Sequence, residues 1–423
     1  MLKAVILIGG PLKGTRFRPL SLDIPKPLFP VAGLPMIQHH IEACTKVSGL
    51  NEVLIIGAYP KNDLAQFVQE MSSTYGIVIR YLQEFTPLGT AGGMYHFRDQ
   101  IRSGSPTYFF VMNGDVCADF PLQEMVEFHS SKQALLTIMA TEATRQQSLN
   151  YGCMVLRKEG EVAHYVEKPS TFVSTLINCG IYLASPEIFQ TMADVFHANQ
   201  QQDHIMQLCY NGRDPAHIAF EQDILTRLAG SGRLFALPVF RWWSQVKTAG
   251  SAIYANRHYL ALYKQKQPDR LASTNKNYCH IIGDVYIHPS ASVHPTSVVR
   301  GINCPNVSIG PGTMIEPGVR IREAIVLGKA HIQAHSLILH SIVGTGTSVG
   351  EWSRVEGTPC DPNPNKPFAK MENLPLFNIN GKLNPSITIL GTSVSLAAEK
   401  ILLNSIVLPH KELTRNYKNE IIL

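Results

Sequence analysis

Short apolar runs alternate with amphipathic stretches over the first half of the chain. Ala4–Ile8, Glu52–Ile56, Ile77–Leu82 and Tyr108–Met112 are short and rich in β-branched or aromatic residues, which predicts buried strands. Pro35–Lys46, Asn62–Ser73 and Ala91–Ile101 carry helical spacing between them. Alternation of this kind predicts a mixed, mostly parallel Rossmann-like sheet covered on both faces, with ligands beyond the carboxyl ends of its strands. Leu135–Met139, Gly152–Leu156, Ala163–Val166 and Ile177–Tyr182 are the later strands, and Ala249–Tyr263 is a helix leaving the domain.

The pattern changes past a polar linker at Gln265–Asn277. Ile281, Ile287 and Val293 stand six apart, as do Ile309, Ile315, Ile321 and Leu327, and then Leu337, Val343, Val349 and Val355. An aliphatic residue every sixth position, with Gly, Pro, Asn and Ser between, predicts a left-handed parallel β-helix whose rungs bury their apolar faces only by stacking. A β-sandwich would need longer strands at wider spacing. The repeat breaks over Glu356–Lys382, a Pro- and Asn-rich excursion, and resumes at Ile387–Leu390 and Ile406–Leu408. A loop of this length suits disorder as well as function. The domains expected are 1–252, a helix and linker at 253–277, and a β-helix at 278–423 with the excursion at 356–382.

Composition narrows the class. The chain of 423 residues is 45% hydrophobic and 16% charged with a net charge of +5, a globular balance without the basic clustering that nucleic-acid binding requires. The eight cysteines are scattered with no metal-ligand spacing, as reduced thiols would be. No apolar run is long enough to span a membrane, and the apolar run Met1–Ile8 is too short for a secretion signal and has no small-residue cleavage site. The expected compartment is the cytosol, with neither a nucleic acid nor a membrane as partner.

The first strand ends in Gly9-Gly10-Pro11-Leu12-Lys13-Gly14-Thr15-Arg16, followed by Pro25-Lys26-Pro27. Glycines at a strand end let backbone N–H groups approach a phosphate, and Arg16 and Lys26 bring neutralising charge. Alone, this turn matches neither a dinucleotide-binding fingerprint nor a P-loop. Glu84 precedes the loop Pro87–Gly92. A carboxylate there can accept from two adjacent donors at once, the pair that guanine offers at N1 and N2 and that uracil and adenine do not, and an exposed strand-end Glu is the alternative reading.

Joined in order, these segments resemble the nucleotide-sugar pyrophosphorylase family. Pro87-Leu88-Gly89-Thr90-Ala91-Gly92 resembles its base-binding loop, which implicates Gly89 and Thr90. Asn113-Gly114-Asp115-Val116 resembles its metal-binding strand end, Val166-Glu167-Lys168-Pro169 the segment whose Lys168 contacts sugar phosphate, and Asn178-Cys179-Gly180-Ile181-Tyr182 its sugar-binding segment. Taken singly, Gly89 and Gly92 read as turn glycines, Asp115 as a helix cap and Lys168 as a solvated side chain. The best fit is the GDP-mannose pyrophosphorylase branch and, within it, the alpha-subunit group.

Two departures from that family bear on activity. Pro11-Leu12-Lys13 fills a gap where the family has one residue, in the loop that wraps the triphosphate; Pro11 removes an N–H donor, and ångström-scale misplacement can cost about a hundredfold in rate. In Trp242-Trp243-Ser244-Gln245-Val246-Lys247, Gln245 aligns with the second metal-binding Asp of the family, and a neutral amide is a poorer Mg²⁺ ligand than a carboxylate. The resemblance therefore implies a GDP-mannose-binding chain (Gly9, Gly10, Glu84, Gly89, Thr90, Asp115, Lys168, Asn178, Gln245) in which Arg16, Lys26 and Asp115 are vestiges of catalysis. Mg²⁺ at Asp115 would be weakly held, and no cofactor is needed for binding. The role implied is a regulatory subunit that binds GDP-mannose and controls a catalytic beta paralogue, in a hetero-oligomer that also self-associates. An active mannose-1-phosphate guanylyltransferase and a non-catalytic scaffold, like certain translation-initiation exchange-factor subunits, are the alternatives.

Overall fold

The structure, a computed structural model, describes residues 1–12, 14–206, 217–273, 280–300, 306–372 and 375–423. Lys13 of the inserted loop, the end of the linker at 274–277, and Cys209, Cys279 and Cys304 lie outside the described residues. Two compact units emerge: residues 1–13, 37–243 and 363–370 form one, and residues 14–36, 244–362 and 371–423 the other.

The first unit is built on a nine-stranded sheet. Leu2–Gly9 lies at its centre, parallel to Leu50–Gly57 on one side and Tyr108–Asn113 on the other, with Val78–Gln83 parallel beyond. Ala4–Ile6 and Val53–Ile56 are buried, as a strand covered on both faces requires, and this explains their continuous apolar runs. The sense reverses at Leu176–Ala184, which runs antiparallel to Tyr108–Asn113, Leu136–Glu142 and Gly152–Leu156. Parallel pairing sets Gly9 beside Gly57 and Gly57 beside Gln83, with Asn113 opposite Leu7, at the carboxyl ends of the strands. Instead of one helix over Ala91–Ile101 there are two, Gly89–His96 and Arg98–Arg102, because Phe97 leaves helical geometry at φ −95°, ψ 20°.

The second unit contains the parallel β-helix. Ile309 pairs with Val326 and Val326 with Val343, seventeen residues apart at each step, and the columns Ile315–Ile332–Val349 and Ile321–Ile338–Val355 keep the same step on two further faces. These side chains form one buried cluster. The strict six-residue period needs correction at two places. The inward positions are Val326 and Ile338, whereas Leu327 is buried beside the column and Leu337 is only partly buried. The two seventeen-residue coils are one residue short at their third corner, where Glu323 (φ 47°) and His340 (φ 46°) adopt the left-handed conformation and turn the chain in less length. Glu356 still pairs with Leu339 and Leu403, and the stack continues at Thr388–Leu390, where Val343 pairs directly with Leu390.

Helix Ala249–Lys266 opens on a capping box, in which Thr248 N–H donates to Ser251 Oγ (3.0 Å) and Thr248 Oγ1 accepts from Ser251 N–H. The helix packs on strands Arg320–Val326 and Leu337–Val343, whose Ile325 and Ile342 are buried. Its Asn256 accepts from Ala32 N–H (2.8 Å) and from the Ser308 hydroxyl, which fixes residues 30–33 within this unit. Among the described residues no helix is long and apolar enough to cross a membrane.

Candidate functional site

Eight of the sequence-derived site residues belong to the first unit. Gly9 ends the central strand at φ 65° and its carbonyl accepts from Ala58 N–H (2.7 Å). A Cβ on Gly10 would stand 2.9 Å from Ala58 Cβ, so the close pass of these two turns needs glycine there. Asp115 follows strand Tyr108–Asn113, where Gly114 N–H donates to Leu7 O (2.8 Å). The glycine turn and the acidic turn thus leave adjacent parallel strands, the setting in which such sheets bind ligands.

Glu84 continues strand Val78–Gln83; its N–H donates to Gly57 O (2.7 Å), and its carboxylate lies over Gly93, where any side chain would overlap Oε1. The Gly89–His96 helix start is closed by the chain itself. Ala91 N–H donates to Ile218 O (3.0 Å), a Cβ on Gly89 would meet that oxygen at 2.5 Å, and Thr90 Oγ1 accepts from Phe220 N–H (2.8 Å) while donating to Glu221 Oε2 (3.2 Å). The backbone role of Gly89 is therefore direct, while the Thr90 hydroxyl is already engaged on both sides.

Asn178 is the centre of a buried polar network. Its amide nitrogen donates to Tyr182 Oη (2.8 Å) and Tyr165 Oη (3.1 Å), and its oxygen accepts from Gly180 N–H (2.8 Å). Tyr165 donates in turn to Glu167 Oε2 (2.9 Å), and Glu167 Oε1 pairs with the Lys168 ammonium (3.0 Å). Burial, the Coulomb effects of neighbouring Glu167 and Glu221, and the Tyr165–Glu167 hydrogen bond all push the Tyr165 hydroxyl up, so it stays a neutral donor. Glu221 is also pushed up, first by burial and next by the charge of Glu167. Lys168 itself sits at φ 45° before Pro169, a conformation that non-glycine residues adopt only when the surroundings impose it, with an exposed side chain turned back on Glu167.

Arg16, Lys26 and Gln245 belong to the second unit. Lys26 stands with its ammonium 5.9 Å from the Phe17 ring, which meets Phe29 edge-on at 5.0 Å. Gln245 ends strand Trp243–Gln245, and its carbonyl accepts from Lys247 N–H (3.0 Å). Of the residues expected near Mg²⁺, Asp115 in the first unit offers a carboxylate and Gln245 in the second a neutral amide. Among the described residues no three His, Cys, Asp or Glu side chains cluster as a metal site.

Tyr165, Tyr182, Glu167 and Glu221 were not among the expected site residues. The first three stand inside or beside the quoted motifs, so their position was available; Glu221 has no local signal.

A strand-end glycine turn, an acidic turn and a carboxylate facing a glycine-rich helix start define a nucleotide-handling α/β domain. A family model described as nucleotidyl transferase matches residues 3–258, and one described as the GMPPB C-terminal domain matches residues 281–422. The chain belongs to the nucleotidyl transferase family. Among its relatives, a Drosophila melanogaster protein named mannose-1-phosphate guanylyltransferase regulatory subunit alpha is 63% identical over 443 residues, and a Xenopus tropicalis protein of the same name is 57% identical over 429 residues. Each match covers 100% of both chains.

Proposed function

We propose that this chain is a regulatory subunit of mannose-1-phosphate guanylyltransferase: it binds GDP-mannose and sets the rate of a catalytic beta paralogue, with little or no catalysis of its own. The whole-length similarity to chains named regulatory subunit alpha carries this reading. Glu84 over Gly93 supports a guanine site, and Lys168 with the Glu167–Tyr165–Asn178 network supports a phosphate and sugar site. Gln245 in place of a carboxylate supports the loss of catalysis, because the metal that would neutralise the two meeting phosphates has lost a ligand. In this reading Gly9, Gly10, Gly89, Thr90 and Asp115 shape the nucleotide pocket, and Arg16 and Lys26 survive from the catalytic ancestor. The chain works in the cytosol, in a hetero-oligomer that feeds glycosylation and responds to its own pathway product.

Calorimetry with GDP-mannose and a pyrophosphate-release assay with GTP, mannose 1-phosphate and Mg²⁺ test it on the full-length chain. Saturable GDP-mannose binding with negligible turnover is expected. Robust pyrophosphate release would make the chain an active guanylyltransferase, and no binding would make it a scaffold.

A further inference from the structure

Residues 363–370 of the excursion belong to the nucleotidyl transferase unit, although the residues on either side belong with the β-helix. The attachment is a matched pair of hydrogen bonds: Gln147 Nε2 donates to Lys370 O (2.6 Å) and Lys370 N–H donates to Gln147 Oε1 (2.8 Å). Gln147 is buried, so this clip is part of the packed domain. Phe368 adds a ring contact with Phe240 at 6.3 Å.

The clip delivers an ammonium. Lys370 Nζ reaches Thr141 Oγ1 at 3.4 Å and stands 5.9 Å from the Trp243 ring. An ammonium has three N–H donors. One is used, at the long end of the range, and among the described residues no carboxylate pairs with this nitrogen. Desolvation pulls the lysine below its usual pKa, and only Cys179 and Glu142 act electrostatically against that. The Cys179 thiol is itself pushed up by burial and stays neutral. A desolvated cation with spare donors is costly unless an anion completes it. Thr141 lies opposite Ile177 on strand Leu176–Ala184, the strand that carries Asn178.

We propose that Lys370 is a ligand contact: the excursion brings its ammonium to the nucleotidyl transferase unit to bind phosphate oxygens of a phosphorylated ligand. The source follows from the function proposed above, and rests on it: the diphosphate of a nucleotide sugar. Free pyrophosphate shares that chemistry.

Full-length wild type and Lys370→Met, titrated with GDP-mannose and separately with inorganic pyrophosphate, test this. Met keeps the side-chain length and removes the charge. The variant should bind GDP-mannose at least tenfold more weakly, while its Tm without ligand stays level or rises, because an unpaired desolvated charge is gone. Equal affinity of variant and wild type for both ligands overturns the inference and leaves the function intact. A lower ligand-free Tm makes the lysine structural and overturns it too. If wild type binds pyrophosphate through Lys370 but not GDP-mannose, the lysine stands and the nucleotide-sugar reading falls. Binding of neither overturns both.

Discussion

Gly93 leaves the space that the Glu84 carboxylate occupies: a Cβ on Gly93 would overlap Glu84 Oε1. The two residues arrive from different elements, Glu84 from the end of strand Val78–Gln83 and Gly93 from helix Gly89–His96. The carboxylate is thereby held over the start of a helix whose first amides are already taken by Ile218 O. Gly93→Ala should displace Glu84 and weaken GDP-mannose binding by about tenfold, and Glu84→Gln, which replaces one acceptor by a donor, should cost about 1.5–3 kcal/mol as a lost charge-assisted bond. Calorimetry with GDP-mannose measures both, and unchanged affinity in Glu84→Gln would remove Glu84 from the base site.

Asn178 holds three groups at once: the hydroxyls of Tyr165 and Tyr182 and the amide of Gly180. Asn178→Ala leaves them without that partner in a desolvated setting, so a loss of about 2–4 kcal/mol is expected. Denaturant unfolding reads it. A loss under about 0.5 kcal/mol would show that the network is not a structural centre.

Lys168 combines an unfavourable backbone angle with a candidate phosphate charge. Lys168→Gly relieves the angle, worth about 1 kcal/mol or more, and removes the charge. Stability should hold or rise while GDP-mannose affinity falls about tenfold. A fall in both would assign the residue to packing.

His129 is buried between Thr137 Oγ1 (2.8 Å) and Ser185 Oγ (3.1 Å), and burial lowers its pKa to about 4. The unfolded chain, with an ordinary histidine near pH 6.5, then binds more protons than the folded one between these values. The stability this gives is fully present above about pH 6.5 and is lost as pH falls toward 4, on the order of 3 kcal/mol across the window. Replacing His129 by Gln should flatten that part of the stability profile, measured by denaturant unfolding at several pH values.

Much of this was legible in residue order. Strand runs such as Ala4–Ile8 advertise their burial because a central parallel strand has no polar face, and the β-helix advertises itself because one inward residue recurs on every face. The one-residue shortening at Glu323 and His340 was not legible, since φ near +47° at an ordinary residue has no compositional mark. Nor was the clip between Gln147 and Lys370, which joins residues 223 apart and uses only the main-chain N–H and C=O of Lys370. Thr90 and Asn178 illustrate a third limit: a motif names the side chain, whereas its bonds to Glu221, Tyr165 and Tyr182 decide what it has left to offer.

Regulation by bound product is read in the pyrophosphate-release rate of the catalytic beta paralogue, measured over a range of GDP-mannose with and without this chain. Adding the chain should steepen inhibition by GDP-mannose, and Glu84→Gln or Lys168→Gly in this chain should abolish the added inhibition. An unchanged GDP-mannose dependence, or release by this chain alone at a rate comparable to the paralogue, would contradict it.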